Sequence, residues 1–320
     1  MNTLVTFISL VSLSSAVILR TTHGQVRGKT VDAVNSPAQS YNNKVEAFLG
    51  IPFAEPPVKT LRFAAPKDIG SFNKIYDATS LKPACMQADD TTFPGFRGSE
   101  MWNSPNKSED CLYLNIWRPQ NARDLPIMVW IFGGGFYSGS PNLDVYDGKV
   151  LSNLGNVIVV SISYRVGILG FMPPIKGTTS VGNVGLLDQR LGLRWVFENA
   201  QNIGGDASKI TVFGESAGSV STSIQLLSQD VHEDLVDRQR SSKQVVNSRY
   251  FNRVIMQSGS LLADWATVTK SEALGRLNLL GKALSVSLTS KIILKSREKK
   301  SQKQCFSVSC RWSHRLHKYR

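Results

Sequence analysis

At 320 residues, with 42% hydrophobic and 19% charged side chains, the chain is long enough for one large domain and too apolar for an intrinsically disordered polymer. Its net charge of +13 suggests a nucleic-acid binder until it is located. The last thirty residues hold ten Lys or Arg against Glu298, so +9 resides there and about +4 on the rest, which argues against a nucleic-acid partner for the body of the chain.

Residues 1–16 read as a secretory signal peptide: an apolar core from Leu4 to Val11 precedes Ser12, Ser14, Ser15 and Ala16. A buried N-terminal strand is the alternative, and no transmembrane segment is expected, because no run approaches ~20 apolar residues. Alternation over residues 17–33 around His23-Gly24 predicts a β-hairpin, with His23 a turn residue. Residues 48–57, which include Pro52, Pro56 and Pro57, predict a rigid irregular segment.

Four cysteines, Cys85, Cys111, Cys305 and Cys310, suit a secretory route, and their spacing alone allows three pairings. Asn106-Lys107-Ser108 is an N-glycosylation sequon between the first two.

Residues 125–132 and 156–164 are apolar runs without alternation, as expected of strands buried on both faces. The first runs into Gly133-Gly134-Gly135-Phe136. A helix follows over residues 186–200, with Leu187, Leu191, Arg194 and Trp195 at helical spacing and Asn202 with Gly204-Gly205 ending it. Then Ile210-Thr211-Val212-Phe213 leads into Gly214-Glu215-Ser216-Ala217-Gly218, a helix is expected over residues 219–227, and a further strand over 251–257. Buried strands alternating with helices predict an α/β fold around a mixed, mostly parallel central sheet with helices on both faces.

Gly-x-Ser-x-Gly between strand and helix reads as a nucleophile elbow, in which a sharp turn exposes a serine hydroxyl. The flanking glycines are needed because side chains there would collide in so tight a turn. A serine hydroxyl needs a base, an acid to orient that base, and donors for the oxyanion. The amides of Ala217 and of the Gly134-Gly135 pair, which ends an upstream buried strand, are the candidate donors.

These motifs resemble those of the type-B carboxylesterases, and within them the acetylcholinesterases, from about Val17 to Val268. The specific segments are residues 48–57, 93–102 (Phe-Pro-Gly-Phe-Arg-Gly-Ser-Glu-Met-Trp), 109–115 (Glu-Asp-Cys-Leu-Tyr-Leu-Asn), 133–139, 182–190 and the elbow. The resemblance implies an α/β-hydrolase fold, Ser216 as acylated nucleophile, and Gly134, Gly135 and Ala217 as oxyanion hole. It further implies Trp102 as the face that holds a choline cation, Glu215 as a nearby negative charge, and Tyr137 and Tyr146 as gorge aromatics. Asp90 matches an acid at the gorge mouth, Trp265 borders the acyl pocket, and Cys85 pairs with Cys111. The expected substrate is a small ester, a choline ester by preference, with no cofactor and no metal, acted on outside the cell, at its surface or at a synapse.

The pattern breaks after the elbow. The triad order in this fold is Ser, then acid, then His, yet neither His232 in a charged insertion at 230–249 nor His314 and His317 in the tail matches the base. Glu298 matches no acid motif. Residues 269–320 read as a divergent basic tail, from a shifted frame or an incomplete gene model, so the expected fold is C-terminally truncated. A non-catalytic cholinesterase-like adhesion or ligand-binding protein, and a general carboxylesterase, are the competing readings.

Overall fold

The computed structural model describes residues 16–33, 43–89, 93–104, 106–228 and 250–283. Asp90, His232, Glu298, Cys305, Cys310, His314, His317, the expected insertion and the tail beyond 283 lie outside them. The strands are β1 (Ala16–Thr21), β2 (Gly24–Asp32), β3 (Lys44–Pro52), β4 (Tyr76–Asp77), β5 (Ala84–Cys85) and β6 (Lys107–Ser108). They continue with β7 (Tyr113–Pro119), β8 (Leu125–Ile131), β9 (Ile158–Ile162), β10 (Gly205–Glu215) and β11 (Arg253–Gln257). The helices are α1 (Arg97–Glu100), α2 (Lys149–Gly155), α3 (Gly167–Phe171), α4 (Val184–Glu198), α5 (Ala217–Leu227) and α6 (Lys270–Ala283).

Among the described residues one mixed sheet of nine strands organises the fold, in the order β1-β2-β3-β7-β9-β8-β10-β11, with β4 beside β2. From β1 to β9 the successive pairings are antiparallel, beginning with the expected β1–β2 hairpin, while β4 runs parallel to β2. From β9 through β8 and β10 to β11 every pairing is parallel. All five residues of β9 are buried, because helices cover both of its faces. On one face α2 lies over Ala47, Trp117 and Val159, where Gly148 sits against the Trp117 and Val159 side chains. On the other, α4 packs on Ile162 through Gly192 and contributes Leu193, Trp195 and Val196 to the main core. Each Val, Ile or Leu so buried stabilises the fold by about 1.5–3 kcal/mol.

Three local expectations are corrected. Residues 48–52 are not irregular but complete β3, because Gly50, at φ +80°, forms a bulge that keeps both flanks paired with β7. The Asn115 side chain accepts the Gly50 N–H at 2.8 Å. Strand β7 itself was not expected, since the buried Asn115 interrupts its apolar pattern; its amide group is satisfied by Gly50, Asn142 and Ser161. Helix α4 runs from Val184 to Glu198 rather than over 186–200, and at its C-cap the Asn199 side chain donates to Trp195 O and Thr22 Oγ1. Among the described residues no helix is long and apolar enough to cross a membrane.

Candidate active site

The carboxyl ends of the four parallel strands converge on Ser216, as ligand sites in open α/β sheets do. Ser216 stands between β10 and α5 with φ +55° and ψ −122°. A serine held there stores about 1–3 kcal/mol of backbone strain, so its surroundings must over-determine the position. They do so from two sides. The Ser216 N–H donates to Gln257 O at 2.9 Å at the end of β11, and Ser219 Oγ donates to Gly259 O at 2.6 Å.

The elbow glycines are required by contact. A Cβ on Gly218 would lie 2.1 Å from Ile131 O, and one on Gly214 would lie 2.5 Å from the Gly218 carbonyl. The start of α5 is therefore pressed directly onto the end of β8. Its small residues, Ala217, Gly218 and Ser219, are all buried.

The glycine turn that follows β8 packs against the elbow. A Cβ on Gly133 would lie 2.5 Å from Glu215 O and 3.1 Å from Ser216 Cβ. Gly134 and Gly135 both adopt positive φ, at +118° and +59°. The Gly134 carbonyl accepts hydrogen bonds from the Tyr137 and Ser138 N–H groups, each at 3.0 Å, and from Ser138 Oγ at 3.2 Å. With that oxygen turned into the loop, the N–H of Gly135 on the same trans peptide must face away from it. Among the described residues none accepts a hydrogen bond from the amides of Gly134, Gly135 or Ala217. Ala217 opens α5, where helix N–H groups lack intrahelical partners and no side chain caps the end.

Below the turn, Tyr164 OH donates to Phe132 O at 2.7 Å from a fully buried position. Burial, then the nearby Tyr146, pushes its acidity out of the ordinary range, so it stays a neutral donor. Phe136 O accepts the Gly167 N–H at 2.7 Å.

Aromatic side chains line one approach. Trp102 is half-exposed, with its ring 6.3 Å from that of Tyr146, and Tyr146 stands 5.0 Å from Trp130. The Tyr146 hydroxyl is raised in pKa by burial first and by the Glu215 carboxylate second, which brings Glu215 into the same neighbourhood. A Cβ on Gly133 would be 3.2 Å from Glu215 Oε2, so one carboxylate borders both the glycine turn and the aromatic group. Tyr137 is exposed beside Gly135, and Trp265 is exposed in the turns that follow β11. Asp90 lies outside the described residues.

Trp102 rides on a loop closed by the Cys85–Cys111 disulfide, and β5 pairs with β6 at its base. Closing such a loop stabilises by roughly 3 kcal/mol in the chain-entropy picture. Sequence reasoning overlooked Gln87 just inside this loop. Its buried carboxamide donates to Cys85 O at 3.0 Å and to Gly139 O at 2.8 Å, and accepts the Gly139 N–H at 2.7 Å. A glutamine two residues past a cysteine carries no sequence signal for such a role.

His23, the one histidine among the described residues, does not join the site. Its ring contacts Thr22 Oγ1 at 3.0 Å and Asp68 at 3.2 Å, and Thr22 N donates to Asn199 Oδ1 where α4 gives way to β10. That is the amino end of β10. Ser216 lies past its carboxyl end, and since Gly205–Gly214 run alongside Leu125–Ile131 of β8, the strand separates the two by about 20 Å at ~3.3 Å per residue. Among the described residues no group of three or more His, Cys, Asp or Glu could hold a metal ion.

Comparison with known proteins agrees with this construction. A model described as Carboxylesterase family matches residues 15–310. An acetylcholinesterase of Bungarus fasciatus is 48% identical over 264 residues, which is 82% of this chain and 40% of that protein. Acetylcholinesterases of Electrophorus electricus and Danio rerio are 44% and 45% identical over 86% and 83% of this chain, and 40% and 39% of their own lengths. The chain thus spans about two fifths of the length of these relatives. Shared sequence over most of the chain, an elbow serine and a mixed sheet of this topology lead to one assignment: the chain belongs to the carboxylesterase family, on its type-B, cholinesterase branch.

Proposed function

We propose that this protein is a serine carboxylic-ester hydrolase of acetylcholinesterase type, acting on choline esters through an acyl-Ser216 intermediate. The observation that carries the reading is Ser216 at positive φ, packed against Gly133 of a glycine turn, with the amides of Gly134, Gly135 and Ala217 lacking an acceptor among the described residues. In the first half-reaction a base takes the Ser216 proton and Oγ adds to the ester carbonyl. The oxyanion forms against those amides, and the alcohol leaves with the proton. Water then attacks the acyl-enzyme and releases the acid. One oxyanion donor contributes about 2.7–4 kcal/mol to such a transition state. The base and its orienting acid come from outside the described residues.

The choline preference rests on Trp102, Tyr146 and Glu215. An indole face holds a quaternary ammonium by ~2 kcal/mol when desolvated, and the Glu215 carboxylate adds attraction. Tyr137, Trp265 and Asp90 complete the gorge and the acyl pocket in this reading. The Cys85–Cys111 disulfide and the exposed Asn106 sequon fit an oxidising, secretory compartment.

A fluorophosphonate probe tests the reading. Ser216 becomes labelled in the wild type and Ser216→Ala does not, with tetramethylammonium slowing the reaction. An unlabelled, folded wild type overturns it in favour of the second reading, a ligand-binding relative without turnover. Equal protection by an uncharged isosteric ester identifies a general carboxylesterase.

A further inference from the structure

We propose that Gln87 is a positioning residue for the oxyanion turn, tying the loop that bears Trp102 to the glycines that face Ser216; this rests on the esterase reading above. The Gln87 side chain is 7% exposed and all its hydrogen-bonding is directed at backbone. It donates to Cys85 O on β5, and it pairs with both the C=O and the N–H of Gly139, at 2.8 and 2.7 Å. One carboxamide thus takes the place of a neighbouring strand for a residue that belongs to no strand.

Gly139 is where such a clamp has leverage. It adopts φ +105°, and a Cβ on it would lie 2.3 Å from Gly133 O and 2.6 Å from the Phe132 ring. The return limb of the turn is therefore stacked directly behind Gly133, whose other side abuts Glu215 and Ser216. Gly167 holds the middle of the turn through Phe136 O, and the turn's own hydrogen bonds hold Gly134. Gln87 is the anchor at the Gly139 end. A displacement of the Gly139 peptide is passed through Gly133 to the amides of Gly134 and Gly135, and a misplacement of ~1 Å in such machinery costs about 10²-fold in rate.

The disulfide enters the same argument. Gln87 lies two residues from Cys85, and its third bond is to the Cys85 carbonyl. The covalent closure that orders the Trp102 loop therefore also orders the oxyanion turn.

The test is the kinetics of Ser216 labelling by an uncharged fluorophosphonate in the full chain, comparing wild type with Gln87→Met and Gln87→Glu. Methionine keeps the volume and loses every bond. Glutamate keeps the acceptor for the Gly139 N–H and loses the donor. The expected result is a labelling rate constant reduced about 10- to 100-fold in Gln87→Met, and less in Gln87→Glu. The final fraction of labelled Ser216 stays unchanged. Exchange of the Gly139 amide hydrogen accelerates in the same order, a readout that needs no reactivity and serves if Gln87→Met labels too slowly to follow. An unchanged rate constant in Gln87→Met overturns the role. So does a loss confined to the labelled fraction, which would mark Gln87 as a folding determinant only. A wild type that never labels defeats the esterase reading itself, and this role with it.

Discussion

Arg165 grips Asp188 through two side-chain hydrogen bonds, Nε to Oδ2 at 2.8 Å and Nη2 to Oδ1 at 2.7 Å, with side chains only 3% and 0% exposed. Asp188 Oδ2 also accepts the Arg165 N–H at 3.0 Å. Arg165 Nη1 reaches Arg62 O at 3.0 Å, and the Arg62 side chain clasps Glu109 next to the disulfide. The pair thus joins α4 to the base of the Trp102 loop behind the site. Removing one partner strands a buried charge, so Asp188→Asn should destabilise the protein by about 3–5 kcal/mol. Chemical denaturation checks this; a shift below ~1 kcal/mol would contradict the buried pairing.

The elbow makes a steric prediction. Gly218→Ala forces a methyl group to within 2.1 Å of Ile131 O and 2.8 Å of Phe132 O, both backbone atoms that cannot swing aside. Overpacking of this kind costs about 1–3 kcal/mol, and it also separates α5 from β8 and moves Ser216. Labelling of Ser216 should fall sharply even where circular dichroism shows retained secondary structure. Full-rate labelling of Gly218→Ala would mean that the strand–helix contact is not what positions the serine.

The cation site predicts a selective loss. Trp102→Ala should weaken protection of Ser216 by tetramethylammonium about tenfold, the equivalent of roughly 1–2 kcal/mol of cation–π attraction. Labelling in the absence of the cation should be little affected. Because Trp102 is half-exposed, the substitution leaves only a shallow gap, and its cost to stability should be small.

Alkaline pH should destabilise the fold. Burial, aided by Asp110 and then Asp77, raises the Tyr76 pKa from 10.0 to about 12. Burial and a hydrogen bond to Asp110 raise Tyr113 as well. For groups whose folded pKa lies above the unfolded value, the stabilising contribution is complete below the unfolded pKa. It is lost as pH rises toward the folded one. Stability measured by denaturation should therefore decline between pH 10.0 and about 12, with tyrosinate absorbance lagging until the protein unfolds. Early ionisation of every tyrosine in the folded protein would refute this.

Asn106 is exposed, and its own carbonyl accepts the Ala84 N–H at 2.9 Å. Translation with microsomes, behind a known secretory leader, should yield a glycosidase-sensitive mass shift that Asn106→Gln removes. A wild-type product with no shift would sink the modification.

The parts legible in the sequence were those whose physics is local. The hairpin around His23-Gly24, the strand ending in Gly133-Gly134-Gly135 and the Gly-x-Ser-x-Gly elbow are continuous stretches. Their backbone demands of positive φ and missing Cβ atoms are written into neighbouring residues. Strand β7 escaped because a buried Asn115 breaks its apolar run, and only the partners Gly50, Asn142 and Ser161, 65, 27 and 46 positions away, make that burial tolerable.

By itself the sequence determined that a serine is presented on a strand–helix turn, and that a glycine turn follows an earlier buried strand. Tertiary structure decided the rest. It set Gly133 against Ser216, drew Trp102, Tyr146 and Glu215 into one neighbourhood, placed His23 at the opposite end of the sheet, and set the Gln87 clamp on Gly139. A single chain does not display these relationships, because each is a contact between segments whose separation in sequence says nothing of their distance once the sheet has formed.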